Sequence, residues 1–246
     1  MHFKIIIPMY NVENWVETTV KSVLSQTYKN YQCIIVDDMS TDESYEIVKK
    51  LISTDDRFIL VKNEEKKYAL KNIVDAINIS NPSVEDVIVT LDGDDWFTNI
   101  NVLETIKNVY EKQNCLVTYG NHINYPDGLP YWSLFEYPSD VVENNSYRSF
   151  RFLASHLRTF KYKVWKKIKQ EDLLDSSGAY FKMGWDLAIM FPMLEMTGEK
   201  AFFVKDACYV YNNQNPLNDY KVDHKLQFST EIAIRTKQKY ERVEMF

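Results

Sequence analysis

The chain has 246 residues, 45% apolar and 26% charged, the make-up of a soluble globular protein with enough apolar material for one substantial core. Six Gly and seven Pro exclude collagen-like or low-complexity character, and 14% aromatic residues exclude disorder. Thirty-five acids against 29 bases leave a formal charge of −6, so the overall positive field that draws nucleic acid is missing and no stable nucleic-acid binding is expected.

The first 120 residues switch repeatedly between two periods. β-branched runs at residues 3–7, 31–36, 58–61 and 86–91, with 115–119 as a fifth, alternate with segments whose apolar residues fall three and four apart. Unbroken runs such as Ile5-Ile6-Ile7 suit strands covered on both faces. The helical segments carry Val16, Val20, Val23 and Leu24, then Ile47, Val48, Leu51 and Ile52, then Leu70, Ile73, Val74 and Ile77, then Leu103, Ile106 and Tyr110. This βαβ grammar predicts an α/β fold, a Rossmann-like open and mostly parallel sheet flanked by helices. Its right-handed crossovers gather the loops after each strand along one edge, where such folds place ligands. After Gly120 the pattern weakens, with turn signals at Pro126-Asp127-Gly128 and a polar stretch at Glu143-Asn144-Asn145. A basic helical segment over 161–169, a helix from about Asp186 with Leu187, Met190, Phe191 and Leu194 on one face, a strand-like run over 201–211 and a terminal helix over 223–242 complete the chain.

Acids stand at the ends of two strands. The second strand runs into Val36-Asp37-Asp38-Met39-Ser40-Thr41-Asp42 and the fourth into Leu91-Asp92-Gly93-Asp94-Asp95-Trp96. Clustered carboxylates at the edge of an apolar sheet repel one another unless a cation or ligand hydrogen bonds compensate them. Mg²⁺ or Mn²⁺ is the simplest compensation, and such an ion keeps positions for water and phosphate oxygens, so an acidic loop recruits a nucleotide diphosphate. Gly93 lets the backbone turn tightly and a ligand approach it. The bland alternatives are a polar turn with a helix N-cap for Asp92 to Asp95, and an N-cap for Asp42. The first strand is followed by neither G-x-G-x-x-G nor a Walker lysine loop, which weighs against a dehydrogenase or an NTPase.

Four blocks in order, Ile6-Ile7-Pro8-Met9-Tyr10-Asn11, Ser22-Val23-Leu24-Ser25-Gln26-Thr27-Tyr28, the Asp37-Asp38 block and the Asp92-Gly93-Asp94-Asp95 block, resemble the family 2 glycosyltransferases of the GT-A fold. The resemblance implies a nucleotide-sugar donor, UDP-linked because the acid after the second strand usually bonds uracil, a divalent metal (Mn²⁺ or Mg²⁺), and inversion at the anomeric carbon. Position by position it implies that Pro8, Tyr10 and Asn11 lie against the nucleoside and that Asp38 bonds the base. Asp94 or Asp95 then ligates the metal, and Asp92 and Gly93 face the ribose or sugar. Where the family often shows Asn, Gly and then Ala-Arg-Asn, this chain has Asn63, Ala69, Lys71 and Asn72 without the glycine, leaving Lys66, Lys67 or Lys71 to offer the diphosphate a cation. Of these, Lys67 is placed with Asn72 in the donor set. A solvated helix face is the alternative for the lysines.

An inverting transfer needs one base for the acceptor proton. By resemblance Asp186, in Gly184-Trp185-Asp186 at the head of a helix, is that base; an N-cap is its alternative. Trp185 offers a ring face to a sugar, and His156 and Arg158 offer contacts to metal, donor phosphate or acceptor, with core packing the competing role for each. The run Tyr209-Val210-Tyr211 with residues 212–219 is placed as a lid that excludes water. The expected organisation is a single domain over residues 1–220, with 1–120 as the nucleotide-sugar half and 121–220 as the acceptor half, followed by a helical 221–246. The acceptor itself, a glycan or another hydroxyl, is not legible.

A non-catalytic sugar-nucleotide or glycan binder is the main alternative, and a nucleotidyltransferase of related fold a weaker one, because Pro8-Met9-Tyr10-Asn11 supplies no triphosphate loop. A DxD phosphatase would carry its aspartates after the first strand. Cys33, Cys115 and Cys208, odd in number and widely spaced, fit neither a disulfide framework nor a zinc site and point to a reducing compartment. With no uncharged run near the roughly 18 apolar residues of a membrane helix and no secretion signal in MHFKIII, a cytoplasmic protein with at most peripheral membrane contact is expected.

Overall fold

The computed structural model describes residues 1–131 and 133–244. Along the chain run β1 (Phe3–Met9), α1 (Val16–Leu24), β2 (Tyr31–Asp37), α2 (Ser44–Leu51), β3 (Phe58–Lys62), α3 (Tyr68–Ser80), β4 (Val87–Thr90), β5 (Trp96–Phe97), α4 (Val102–Gln113), β6 (Val117–Tyr125) and β7 (Leu129–Pro130). They are followed by α5 (Ser139–Glu143), β8 (Thr159–Lys161), α6 (Tyr162–Trp165), α7 (Trp185–Thr197), β9 (Ala201–Asn212), α8 (Asp219–Val222) and α9 (His224–Arg235).

The strands form one sheet in the order β3-β2-β1-β4-β8-β6-β9-β5, with β7 paired to β6. The first four are parallel, as the βαβ pattern predicts. The other half is mixed, since β8 runs antiparallel to both β4 and β6, β6 and β9 are parallel, and β5 is antiparallel to β9. The fifth run therefore does not pair with β4. β8 lies between them, and its last residue, Lys161, is where the sequence reads as the start of a basic helix. That helix is only α6, four residues long.

Alternation along the central strands divides the core in two. Ile5, Ile7, Cys33 and Ile35 pack with Val16, Val20, Val23, Leu103 and Ile106 of α1 and α4. Ile6, Ile34 and Val36 pack with Leu70, Ile73 and Ile77 of α3 and with α7. Each such aliphatic side chain taken fully out of water contributes about 1.5–3 kcal/mol. α7 departs from the one-faced helix the sequence suggests, because residues 188–197 are all buried. The reason is that residues near Arg148 and the C-terminal chain cover its outer side: Arg148 bonds Glu195 through Nε (2.6 Å) and Nη2 (2.9 Å), and the same Glu195 accepts the Tyr240 N–H at 3.0 Å. The terminal helix is correspondingly shorter than the pattern of 223–242. It stops at Arg235, and the chain over 236–244 is irregular, held by Arg242 to the carbonyls of Leu194 and Glu195. Residues 245–246 lie outside the described residues. Among the described residues no helix is long and apolar enough to cross a membrane, and the three cysteines are free and buried.

The loops after β1, β2 and β4 meet at the C-terminal edge of the sheet. The Asp38 N–H donates to the Met9 carbonyl (2.9 Å), the Gly93 N–H to the Pro8 carbonyl (3.1 Å), and the Thr19 hydroxyl to the Gly93 carbonyl (3.0 Å). A Cβ on Gly93 would stand 2.5 Å from Met9 Cβ. Glycine is needed here for close approach of two loops.

Candidate active site

A cleft of about 590 Å³ opens on that edge. Of the residues singled out in the sequence, Pro8, Tyr10, Asp38, Asn72, Asp92, Gly93, Asp94, Asp95, His156, Arg158, Trp185 and Asp186 line it, though they come from opposite halves of the chain. Asn11 and Lys67 do not. Asn11 ties two loops together, accepting the Thr41 N–H (2.8 Å) and donating its own N–H to Ser40 Oγ (3.0 Å). The Lys67 ammonium pairs with Asp75 at 3.4 Å and that of Lys71 also pairs with Asp75, whereas of these three lysines Lys66 lines the cleft, over the Tyr10 ring. A second cavity, of about 530 Å³ and lined by Tyr119, Glu143 and Tyr147, contains none of these side chains.

The acidic loop is unfavourable as it stands. Burial, reinforced by Asp94, pushes the Asp92 carboxyl up to about 7; burial also raises Asp94, and raises Asp95 strongly with Asp94 and Asp92 adding to it. Asp92, Asp95 and His156 offer ligand atoms all within 4.8 Å of one another. Burial, with Arg158 and His122 beside it, holds the His156 imidazole well below its usual pKa and so neutral, the form a metal needs. Two carboxylates and a neutral imidazole fit Mn²⁺ or Mg²⁺ better than they fit one another. Asp94 stands outside this set and accepts the Asn215 amide at 2.7 Å. The geometry thus groups Asp95 with Asp92 and His156, where the motif suggests Asp94 or Asp95.

Near the start of α3, Asp38 accepts the Lys67 N–H (2.7 Å) and the Asn63 amide (2.9 Å) on Oδ1 and the Tyr68 N–H (2.9 Å) on Oδ2. Asn63 also bonds Asn72 Oδ1 at 2.7 Å, leaving Asn72 Nδ2 buried without a partner among the described residues. His156 Nδ1 and Arg158 Nη1 are orphaned in the same way. Three unpaired buried polar atoms on residues of one cleft are the mark of a polar ligand, since each costs roughly 1–3 kcal/mol unmet.

At the head of α7, Gly184 adopts φ 67° as the N-cap, so Asp186 does not cap the helix. Its Oδ2 accepts from Arg158 Nη2 at 2.9 Å, and Arg158, 4% exposed, also bonds the Ala154 carbonyl (2.8 Å) and lies over the Trp185 ring. Asp219 of α8, at the end of the segment placed as a lid, joins this group; burial and the neighbouring Asp186 push its carboxyl up to about 6. The region assigned as a lid does reach the cleft, through Tyr211, Asn215, Leu217, Asn218 and Asp219. What the sequence did not disclose is that Tyr209 and the Asn212 N–H bond Asp95. The only available signal was the same-face spacing of Tyr209 and Tyr211 along a strand.

The family model described as Glycosyl transferase family 2 matches residues 4–177. The chain is 26% identical over 213 residues to glycosyltransferase GlyA of Streptococcus pneumoniae, covering 84% of this chain and 30% of GlyA. It is 36% identical over 118 residues to WfaP of Escherichia coli, a UDP-Glc:alpha-D-GlcNAc-diphosphoundecaprenol beta-1,3-glucosyltransferase, covering 48% of this chain and 45% of WfaP. The chain thus spans less than half the length of either relative. Among solved structures, S. aureus TarS 1-349 in complex with UDP-GlcNAc superposes with a TM-score of 0.63 at 17% identity, covering 87% of this chain and 59% of that one, which shows a shared fold.

Proposed function

Because the chain belongs to glycosyl transferase family 2, we propose that it is a metal-dependent, inverting glycosyltransferase that moves a sugar from a UDP-linked donor to an acceptor hydroxyl. The observation that carries this is the shared cleft: the Asp92, Asp95 and His156 set and the Arg158–Asp186 pair line the same 590 Å³ space. The donors named for WfaP and TarS, UDP-Glc and UDP-GlcNAc, support the choice of uridine.

In this reading Tyr10, Lys66, Asp38 and Asn72 receive the nucleoside and the first phosphate. Asp92, Asp95 and His156 hold Mn²⁺ or Mg²⁺, which when bound neutralises the departing diphosphate. Asp186 takes the proton of the acceptor hydroxyl as its oxygen bonds the anomeric carbon and the carbon–phosphate oxygen bond on the opposite side breaks, so one carboxylate suffices and the configuration inverts. Arg158 holds Asp186 in place, and Trp185 offers its ring face to a sugar. The three free cysteines support a reducing, cytoplasmic setting.

The test is a thermal-shift panel of nucleotide sugars with and without Mn²⁺. A correct donor at 100 times its Kd raises stability by about 2.7 kcal/mol, and more with the metal present. No response to any nucleoside diphosphate, with or without metal, overturns the proposal.

A further inference from the structure

Tyr209 touches every member of the Asp92, Asp95 and His156 set. Its hydroxyl donates to Asp95 Oδ2 at 2.5 Å, stands 3.3 Å from Asp92 Oδ2 and receives the Asp92 N–H at 3.3 Å. Its ring stacks on the His156 imidazole, centroids 4.3 Å apart and planes 9° apart. Among the described residues no other group donates to Asp95 Oδ2, while the Asn212 N–H takes Oδ1 at 2.6 Å.

The backbone explains how one side chain reaches all three. Tyr209 is fully buried on β9, level with Phe97 of β5 on one side and His122 of β6 on the other. The β6–β9 register breaks between Gly120, level with Val204, and His122, level with Tyr209, so β9 carries extra residues there. Irregularities of this kind turn a side chain toward a neighbouring site. Here the break delivers the Tyr209 hydroxyl and, three residues on, the Asn212 N–H to the acidic loop more than a hundred positions earlier in the chain.

We infer that Tyr209 is the positioning residue of the cation site, its hydroxyl aligning the two carboxylates and its ring setting the plane of the imidazole. The inference rests on the reading of that set as a divalent-cation site. Outer partners of this kind orient ligands that would otherwise lose conformational freedom only on binding the ion. A buried tyrosine that merely satisfied Asp95 would need neither the second carboxylate nor the stacked ring.

The experiment measures Mn²⁺ binding directly, from the electron paramagnetic resonance signal of the free ion, for the wild type, Tyr209→Phe and Tyr209→Leu, with metal-free melting as the control for folding. The expected result is Mn²⁺ affinity about tenfold or more lower in the Phe variant and lower again in the Leu variant, which also loses the stack. Should the Phe variant not fold, fluorinated tyrosines placed at 209 keep the shape and grade the donor strength of the hydroxyl, and Mn²⁺ affinity should then change stepwise with fluorine number. Unchanged affinity in folded Tyr209→Phe, or a flat response to fluorination, overturns the inference. A wild type that binds no Mn²⁺ instead removes the cation reading beneath it.

Discussion

Arg158 and Asp186 form an ion pair at 2.9 Å in which the arginine is almost fully enclosed and the aspartate remains 24% exposed toward the cleft. One oxygen of Asp186 is thereby oriented by Arg158, and among the described residues the other accepts only the adjacent Leu187 N–H. Asp186→Asn should lower kcat by about 10²–10⁴ with donor affinity retained, read by turnover and by UDP titration on the same preparation. Unimpaired turnover would remove Asp186 as the base.

Lys66 and Lys67 are adjacent in sequence but separate in role. Burial lowers the Lys66 pKa, and its ammonium lies in the cleft, whereas that of Lys67 is engaged by Asp75. Lys66→Ala should weaken donor binding by about 1.5–3 kcal/mol, the worth of a charge-assisted hydrogen bond, while Lys67→Ala leaves it within twofold. Calorimetric titration with UDP separates them, and equal losses would contradict the assignment.

The raised Asp92 pKa has a pH signature. Its folded value, about 7, lies above the usual carboxylate value of 3.8, so the folded state holds a proton the unfolded state gives up. This contribution is fully present below pH 4 and is lost as pH rises through 7. His122, held near 4 by burial, has the opposite slope between 4 and its ordinary 6.5, so the comparison must be between variants. Metal-free Asp92→Asn should gain melting temperature over the wild type progressively from pH 4 to pH 8, and Mn²⁺ should remove that advantage. A difference independent of pH would refute it.

Gly93→Ala puts a methyl group 2.5 Å from Met9 Cβ and 3.0 Å from the Pro8 carbonyl. The acidic loop must then shift off β1, at a cost of about 1–3 kcal/mol. We expect a lower melting temperature together with weaker Mn²⁺ binding. Stability lost without any change in metal affinity would show that the loop moves as a rigid piece.

Glu195 is fully buried and takes both Arg148 bonds and the Tyr240 N–H. Removing one partner of such a pair leaves a buried charge alone, which costs about 3–5 kcal/mol. Glu195→Ala should therefore unfold at markedly lower denaturant concentration, and protease should cut first beyond Arg235, a result that mass mapping of the fragments would check.

The parallel half of the sheet was legible because Ile5-Ile6-Ile7 and Ile34-Ile35-Val36 can be satisfied only by cover on both faces, and the helices between them carry their apolar residues at one spacing. β8 was not, because three residues with a lysine at the end carry no period of their own. Phe160 becomes a strand residue through its neighbours on β4 and β6. In the cleft, Asp92, Asp95 and Asp186 could be found from motif and position. Tyr209, Asn215 and Asp219 fall in the segment placed as a lid, but their bonds into the acidic loop and their place beside Asp186 were not legible, since they depend on a register break and a chain reversal far downstream, neither of which has a local signature. Lys66 and Lys67 differ by which way one helix start turns, with Tyr68 at φ 65°, and composition is blind to that.

Asp38 has three N–H groups on its carboxylate, two from the backbone that begins α3 and one from the Asn63 side chain just after β3. A change at this position alters how that helix starts before it alters anything a small molecule meets. If this cleft receives a nucleobase as proposed, a change of base preference is therefore expected away from the aspartate and at Tyr10 or Lys66, whose side chains do not tie down the start of α3. Lineages that prefer another base should differ at those two places first.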